Sequence, residues 1–125
     1  MELQNGEVWA AWEPLSKLLE KEWPVKVSYK LAQMARLLRE EYDLIEQVRS
    51  GLIKKYGTEN GANQVSVDPE SEQMPKFILE YNELMEGAVE IAFTKKVVLP
   101  ATADGQEIQV EPLVLMALDK FVTVE

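Results

Sequence analysis

Pro24-Val25-Lys26-Val27-Ser28-Tyr29-Lys30-Leu31-Ala32-Gln33-Met34-Ala35-Arg36-Leu37-Leu38 opens a segment that runs to Lys54-Lys55-Tyr56-Gly57 with no proline after Pro24. Leu31, Leu38, Ile45 and Leu52 recur every seven residues, Val27, Met34 and Val48 fall on the same side, and Leu37 and Leu44 widen the stripe. This spacing predicts one long amphipathic helix over 24–57. Proline suits its first turn, Lys54 and Lys55 suit its last, and Gly57 is expected as a left-handed cap. At ~1.5 Å per residue such a helix is longer than a domain of this size is wide, so part of it should project.

The rest of the chain is read outward from that helix. On its N-terminal side, Val8, Trp12, Leu15, Leu19 and Trp23 repeat at steps of three and four behind Asn5, a suitable helix cap. Pro14 lies inside this pattern and predicts a kink or a break, and Trp23-Pro24 predicts a sharp corner. On the C-terminal side, Thr58 to Gln64 reads as a turn or loop around Asn60-Gly61, and Val65-Ser66-Val67 as a short extended piece. Asp68-Pro69 is a helix-start signal, although the apolar pattern of Met74, Phe77, Ile78, Tyr81, Leu84 and Met85 places the second helix at about 74–87, antiparallel to the long one.

From Val89 the period changes to two. Val89, Ile91 and Phe93 alternate with polar or small residues, Val97 to Leu99 continue the β-favouring composition, and Pro100 stops it. Ile108 and Val110, beyond the Asp104-Gly105 turn signal, are expected to pair back as a hairpin. Pro112 then opens a terminal helix carrying Leu113, Met116, Leu118 and Phe121. The expected fold class is mainly α with a minor β-hairpin, in one domain over 1–125. Its parts are an N-terminal helical element at 1–23, the long helix at 24–57, a loop at 58–73, the second helix at 74–87, and a hairpin with terminal helix at 88–125.

Composition bounds what such a domain can do. Twenty-two acidic against 13 basic residues give a formal charge of −9, which repels phosphate backbones and anionic lipid, so direct nucleic-acid binding and membrane binding are disfavoured. The chain has neither cysteine nor histidine, which removes disulfides, the usual zinc sets and the serine or cysteine nucleophile systems that depend on histidine. The glycines form no phosphate-binding loop. No catalytic, cofactor-binding or metal residue is expected, and a cytoplasmic location follows from the lack of a leader or a spanning segment.

Charge and aromatic patterning offer the candidate contacts. Glu40, Glu41, Asp43 and Glu46 crowd the long helix, but Arg36 and Arg39 stand four residues before two of them, which reads as a solvated, self-paired face. Glu59-Asn60-Gly61-Ala62-Asn63 lacks the ligand alternation of a calcium loop. Glu80, Glu83, Glu86 and Glu90 form an acidic stripe if the second helix passes Gly87, and are the candidate contact for a basic partner. Trp9 stands off the centre of the first apolar stripe and is the candidate exposed anchor, whereas Trp12 and Trp23 belong to the core. Lys21, Lys26, Lys30 and Tyr29 interleave charge with aromatic surface, and core packing is the favoured reading of that region.

The segments Trp-Pro-Val-Lys-Val-Ser-Tyr-Lys-Leu-Ala, Leu-Leu-Arg-Glu-Glu-Tyr and Leu-Ile-Lys-Lys-Tyr-Gly resemble a family of small uncharacterised proteins encoded by phages and prophages of Gram-positive bacteria. Phe77 to Met85, Val89-Glu90-Ile91 and Val110-Glu111-Pro112-Leu113 to Phe121 follow the same layout, and Pro14 departs from it. The resemblance implies a viral context and a mainly helical fold, and it carries no functional residue. The expected function is a non-enzymatic phage accessory or host-interaction protein that acts through protein–protein contact, with itself or with a host protein, as a homo-oligomer in the host cytoplasm. The alternative is an acidic decoy for a host nucleic-acid enzyme such as a defence nuclease or RNA polymerase, and the third reading is a carboxylate- or metal-dependent enzyme.

Overall fold

Val25–Tyr56 forms one uninterrupted helix of 32 residues in a computed structural model of the chain, which describes residues 1–59, 64–93, 95–103 and 105–125. In chain order the elements are β1 (Glu2–Gln4), α1 (Asn5–Leu19), α2 (Val25–Tyr56), β2 (Thr58–Glu59), β3 (Val65–Ser66), α3 (Met74–Glu86), β4 (Ala88–Glu90), β5 (Val97–Leu99), β6 (Thr102–Ala103), β7 (Gln106–Glu107), α4 (Pro112–Ala117) and β8 (Val122–Val124). The fold is mainly α with minor β structure. No helix among the described residues is long and apolar enough to cross a membrane.

The stripes predicted from periodicity build the core. Val8, Ala11, Leu15 and Leu18 of α1 are buried with Leu31, Met34, Ala35, Leu38 and Ile45 of α2. α1 runs antiparallel to α2, since Trp9 stacks on Tyr42 and the later Trp12 lies under Arg39. α1 is continuous through Pro14, contrary to the expected break. Proline removes one hydrogen bond of the ladder, and burial of large apolar side chains on both sides of it, at ~1.5–3 kcal/mol each, outweighs that loss. The corner at Trp23-Pro24 forms as expected, with the Trp23 indole Nε1–H donating to the Leu18 carbonyl at 2.8 Å, which occupies one of the acceptors left open at the end of α1.

Three terminal signals resolve differently from expectation. Gln4, not Asn5, caps α1, and Asn5 instead spends its side-chain amide on the Leu84 carbonyl at the end of α3, at 2.8 Å. Gly57 is extended (φ −90°) instead of left-handed. Glycine is required there by space, because a Cβ would lie 2.4 Å from the Ile53 carbonyl oxygen and 2.8 Å from Val65 Cγ1. Thr58 and Glu59, expected in a loop, pair with Val65 and Ser66 in a small antiparallel ladder, and the Asn60-Gly61 turn lies outside the described residues. Asp68 caps a turn by accepting from the Glu70 N–H at 2.9 Å, so the second helix begins at Met74 as its apolar pattern indicates.

The strand pairing is the main correction. β4 pairs antiparallel with β1, and β5 pairs parallel with β8, so both chain ends are stitched to the middle of the sequence. Ile108 and Val110 lie outside any strand; the local hairpin is instead β6 with β7 around Gly105, whose φ of +77° suits only a residue without Cβ. α4 buries Val114, Leu118 follows it into the core, and Phe121 packs beyond the helix, while Leu113 and Met116 point outward.

Leu38→Ala should cost ~2–5 kcal/mol in urea unfolding, since Leu38 is 1% exposed, whereas Leu44→Ala at a 55% exposed site of the same stripe should cost ~0.5 kcal/mol or less. Gly57→Ala should destabilise by more than ~1 kcal/mol, read in the same titration, because its Cβ has no room beside two backbone carbonyls.

Candidate interaction surfaces

α2 is sheltered unevenly along its length. Leu31, Leu38 and Ile45 are buried, but Leu52, the next member of the heptad series, is only half-buried, and Leu44 and Val48 stand 55% and 50% exposed. Among the described residues from Glu46 to Glu90, none is buried. That stretch nevertheless holds the last turns of α2 and all of α3, whose Met74, Phe77, Tyr81, Leu84 and Met85 are half-buried and whose Ile78 and Leu79 are 48% and 62% exposed. α3 folds back antiparallel on α2, placing Glu80 against Lys55 at 3.2 Å and Leu84 beside Asn5. An amphipathic helix this short is stabilised mainly by burial of its apolar face. Here that face has one neighbour layer and open solvent beyond it, which forms an arm with unspent apolar surface.

The acidic stripe proposed from sequence is divided by this geometry. α3 ends at Glu86 and Gly87 is extended, so Glu90 sits on β4, where its carboxylate accepts from the Met1 ammonium at 2.9 Å. Glu80 is engaged by Lys55, and a hydrogen bond from the Tyr56 hydroxyl, together with Lys55, holds its carboxyl below the usual range. Lys55 is raised correspondingly by Tyr56 and by Glu80. Glu83 and Glu86 are exposed, and among the described residues neither forms an ion pair.

Trp9 is half-buried instead of standing free. Its ring stacks on Tyr42 at 4.7 Å with an 11° tilt, and the Arg49 guanidinium lies 5.4 Å from its centroid. Arg39 sits over both Trp12 and Tyr42 while donating to Asp43 at 2.9 Å, and Arg49 reaches Glu46 at 3.7 Å. Asp43 and Glu46 are thus paired by cations that also lie against aromatic rings, whereas the expected Arg36–Glu40 pair does not form and, among the described residues, Glu40 and Glu41 have no ion-pair partner. Glu7 is held low by Lys120, with a smaller contribution from the Gln4 N–H. No group of three acidic side chains among the described residues is placed to hold a metal ion.

One surface escaped the sequence reading. Lys30, Gln33, Met34, Arg36 and Leu37 of α2 face Phe93, Lys95, Lys96, Val97 and Val98 across a groove of about 530 Å³. Its lining includes no carboxylate. Lys30 was visible as part of an aromatic and basic interleaving, but Lys95-Lys96 joins it only through tertiary folding. The available signal was a lysine pair placed directly before a β-favouring run.

No protein-family model, curated protein or solved structure matches this chain.

Because Glu7 and Glu80 are both held below the ordinary glutamate value of ~4.3, their contacts contribute fully above that value and are lost as pH falls through the lower folded values. The Tm should accordingly fall with pH below about 4.5, and Glu7→Gln with Glu80→Gln should flatten that acid limb in a pH series of thermal melts.

Proposed function

We propose that this chain is a non-enzymatic interaction protein, of the phage accessory or host-contact kind, that self-associates through the arm formed by the end of α2 and by α3. The observation that carries this reading is the lack of any buried residue among those described from Glu46 to Glu90, despite an apolar face on both helices. A second copy offers the same half-covered face, and two such faces packed together complete a layer that one copy leaves open.

Magnitudes place the contact among the weak ones. Leu44, Val48, Ile78 and Leu79 are half covered already, so completing their burial is worth roughly 1 kcal/mol each, about 8 kcal/mol over two copies, from which the lost rigid-body freedom of association is subtracted. The half-buried aromatic and methionine side chains of α3 add to this, while the −9 charge of each copy opposes it. The expected association is in the range of tens to hundreds of micromolar. The acidic-decoy reading has less support, since Glu80 and Glu90 are engaged internally and the helix stops before the stripe is complete.

Salt separates the two readings. Association through the arm should strengthen as salt screens the repulsion between acidic copies, whereas binding of an acidic decoy to a basic groove weakens. Light scattering from ~0.01 to ~1 mM should show the mean mass rising toward a dimer, more so at high salt, and Ile78→Asp with Val48→Asp should return the monomer with an unchanged thermal melt. A wild-type chain that stays monomeric at ~1 mM in high salt overturns the reading.

A further inference from the structure

The groove between α2 and residues 92–93 and 95–98 gathers Lys30, Arg36, Lys95 and Lys96, whereas Lys21, Lys26, Lys54 and Lys76, which also lack an ion-pair partner among the described residues, are not in its lining. Lys17, Arg39, Arg49, Lys55 and Lys120 each lie within ion-pair distance of a carboxylate. Among the described residues Lys30, Arg36, Lys95 and Lys96 have no such partner, in a chain where acids outnumber bases 22 to 13. Four like charges around one concavity repel one another, and nothing in the groove offsets that repulsion. An external anion would.

Two further features specify what kind of anion. Between the cations lie Met34, Leu37, Phe93 and Val97, an apolar floor that a phosphate or a carboxylate cannot use and an aliphatic side chain can. The groove also touches β5. Val97 donates its N–H to Phe121 at 2.9 Å and Leu99 accepts from Glu125 at 3.0 Å, both on the β8 side. The alternation of a strand then turns the N–H and C=O of Val98, itself a groove residue, to the opposite edge, which no described strand pairs. Anionic charge, an apolar side chain and a backbone that can pair with a strand edge are together properties of a polypeptide.

We propose that this groove binds an extended acidic segment of a partner protein, its carboxylates meeting Lys30, Arg36, Lys95 and Lys96, an apolar side chain seated on the Met34, Leu37 and Phe93 floor, and its backbone alongside Val98. The proposal rests on the reading of this chain as a protein-contact module but uses a different surface from the self-association arm. A long polyanion such as single-stranded DNA meets the same cations and, like an acidic peptide, is opposed by the −9 charge of the chain, but it leaves the apolar floor unused.

The test uses the full chain and a short fluorescein-labelled peptide alternating glutamate with leucine, followed by fluorescence anisotropy. Binding is expected, with about tenfold loss on Lys95→Glu with Lys96→Glu, roughly threefold loss on the milder Lys95→Gln, and little binding of a matched peptide carrying lysine in place of glutamate. The Lys95→Gln variant keeps the test open if the charge reversal disturbs folding, which a thermal melt reports. Ile78→Asp with Val48→Asp should leave peptide binding unchanged while abolishing self-association, so each reading can fail without the other. No detectable peptide binding, peptide binding indifferent to Lys95 and Lys96, or tighter binding of an oligothymidine than of the acidic peptide through those lysines overturns the proposal.

Discussion

The fold depends on a mismatch of lengths. A helix of 15 residues, about 22 Å long, is packed against one of 32 residues, about 48 Å long, and the two share a dry seam from Val8 to Leu18 on one side and from Leu31 to Ile45 on the other. The other elements divide between the two helices, with α4 and β1 on α1, β5 and β3 on α2, and α3 across both. β5 packs on α2, and Val97, Leu99, Phe121 and Val122 are buried, although Val25 and Tyr29 in the first turns of α2 stay exposed. At the far end α3 and the β2–β3 ladder supply one layer only.

This asymmetry explains which sequence expectations hold. The periodicity of 24–57 locates α2 to within a residue at each end, and Leu31, Leu38 and Ile45 are buried as the heptad spacing implies. Leu44 and Val48 belong to the same pattern and stay in solvent, because a pattern states which side of a helix is apolar and not how long its neighbour is. The strands were harder. The alternation from Val89 and the composition of Val97 to Leu99 mark β4 and β5, but these strands are three residues each and their partners β1 and β8 carry no such mark, so the pattern does not say what they pair with. Asn5 was read as a helix cap from its residue type, and it does cap a helix, but the one that β1–β4 pairing brings beside it.

The candidate surfaces follow the same division between local and long-range information. Glu80, Glu83, Glu86 and Glu90 look continuous along the chain, and the stop at Gly87 separates them in space. Lys30, Arg36, Lys95 and Lys96 look unrelated along the chain, and the packing of β5 on α2 gathers them. Trp9, isolated by its off-centre position on α1, turns out to hold the α1–α2 seam closed at its edge through Tyr42 and Arg49. Side-chain stacking of this kind depends on the crossing of two helices, which no single-segment pattern encodes.

The stitching of both chain ends to the interior has a consequence in time. Residues 1–56 can form the α1–α2 hairpin from nearby contacts as soon as they are made, but β1 has no partner until residues 88–90 emerge, and β5 waits for residues 122–124. The β5–β8 ladder therefore closes only after residues 122–124 have been made, later than the α1–α2 seam can form. A nascent chain of this design passes through an unsealed hairpin, and its two long-range ladders close in turn, β1–β4 before β5–β8.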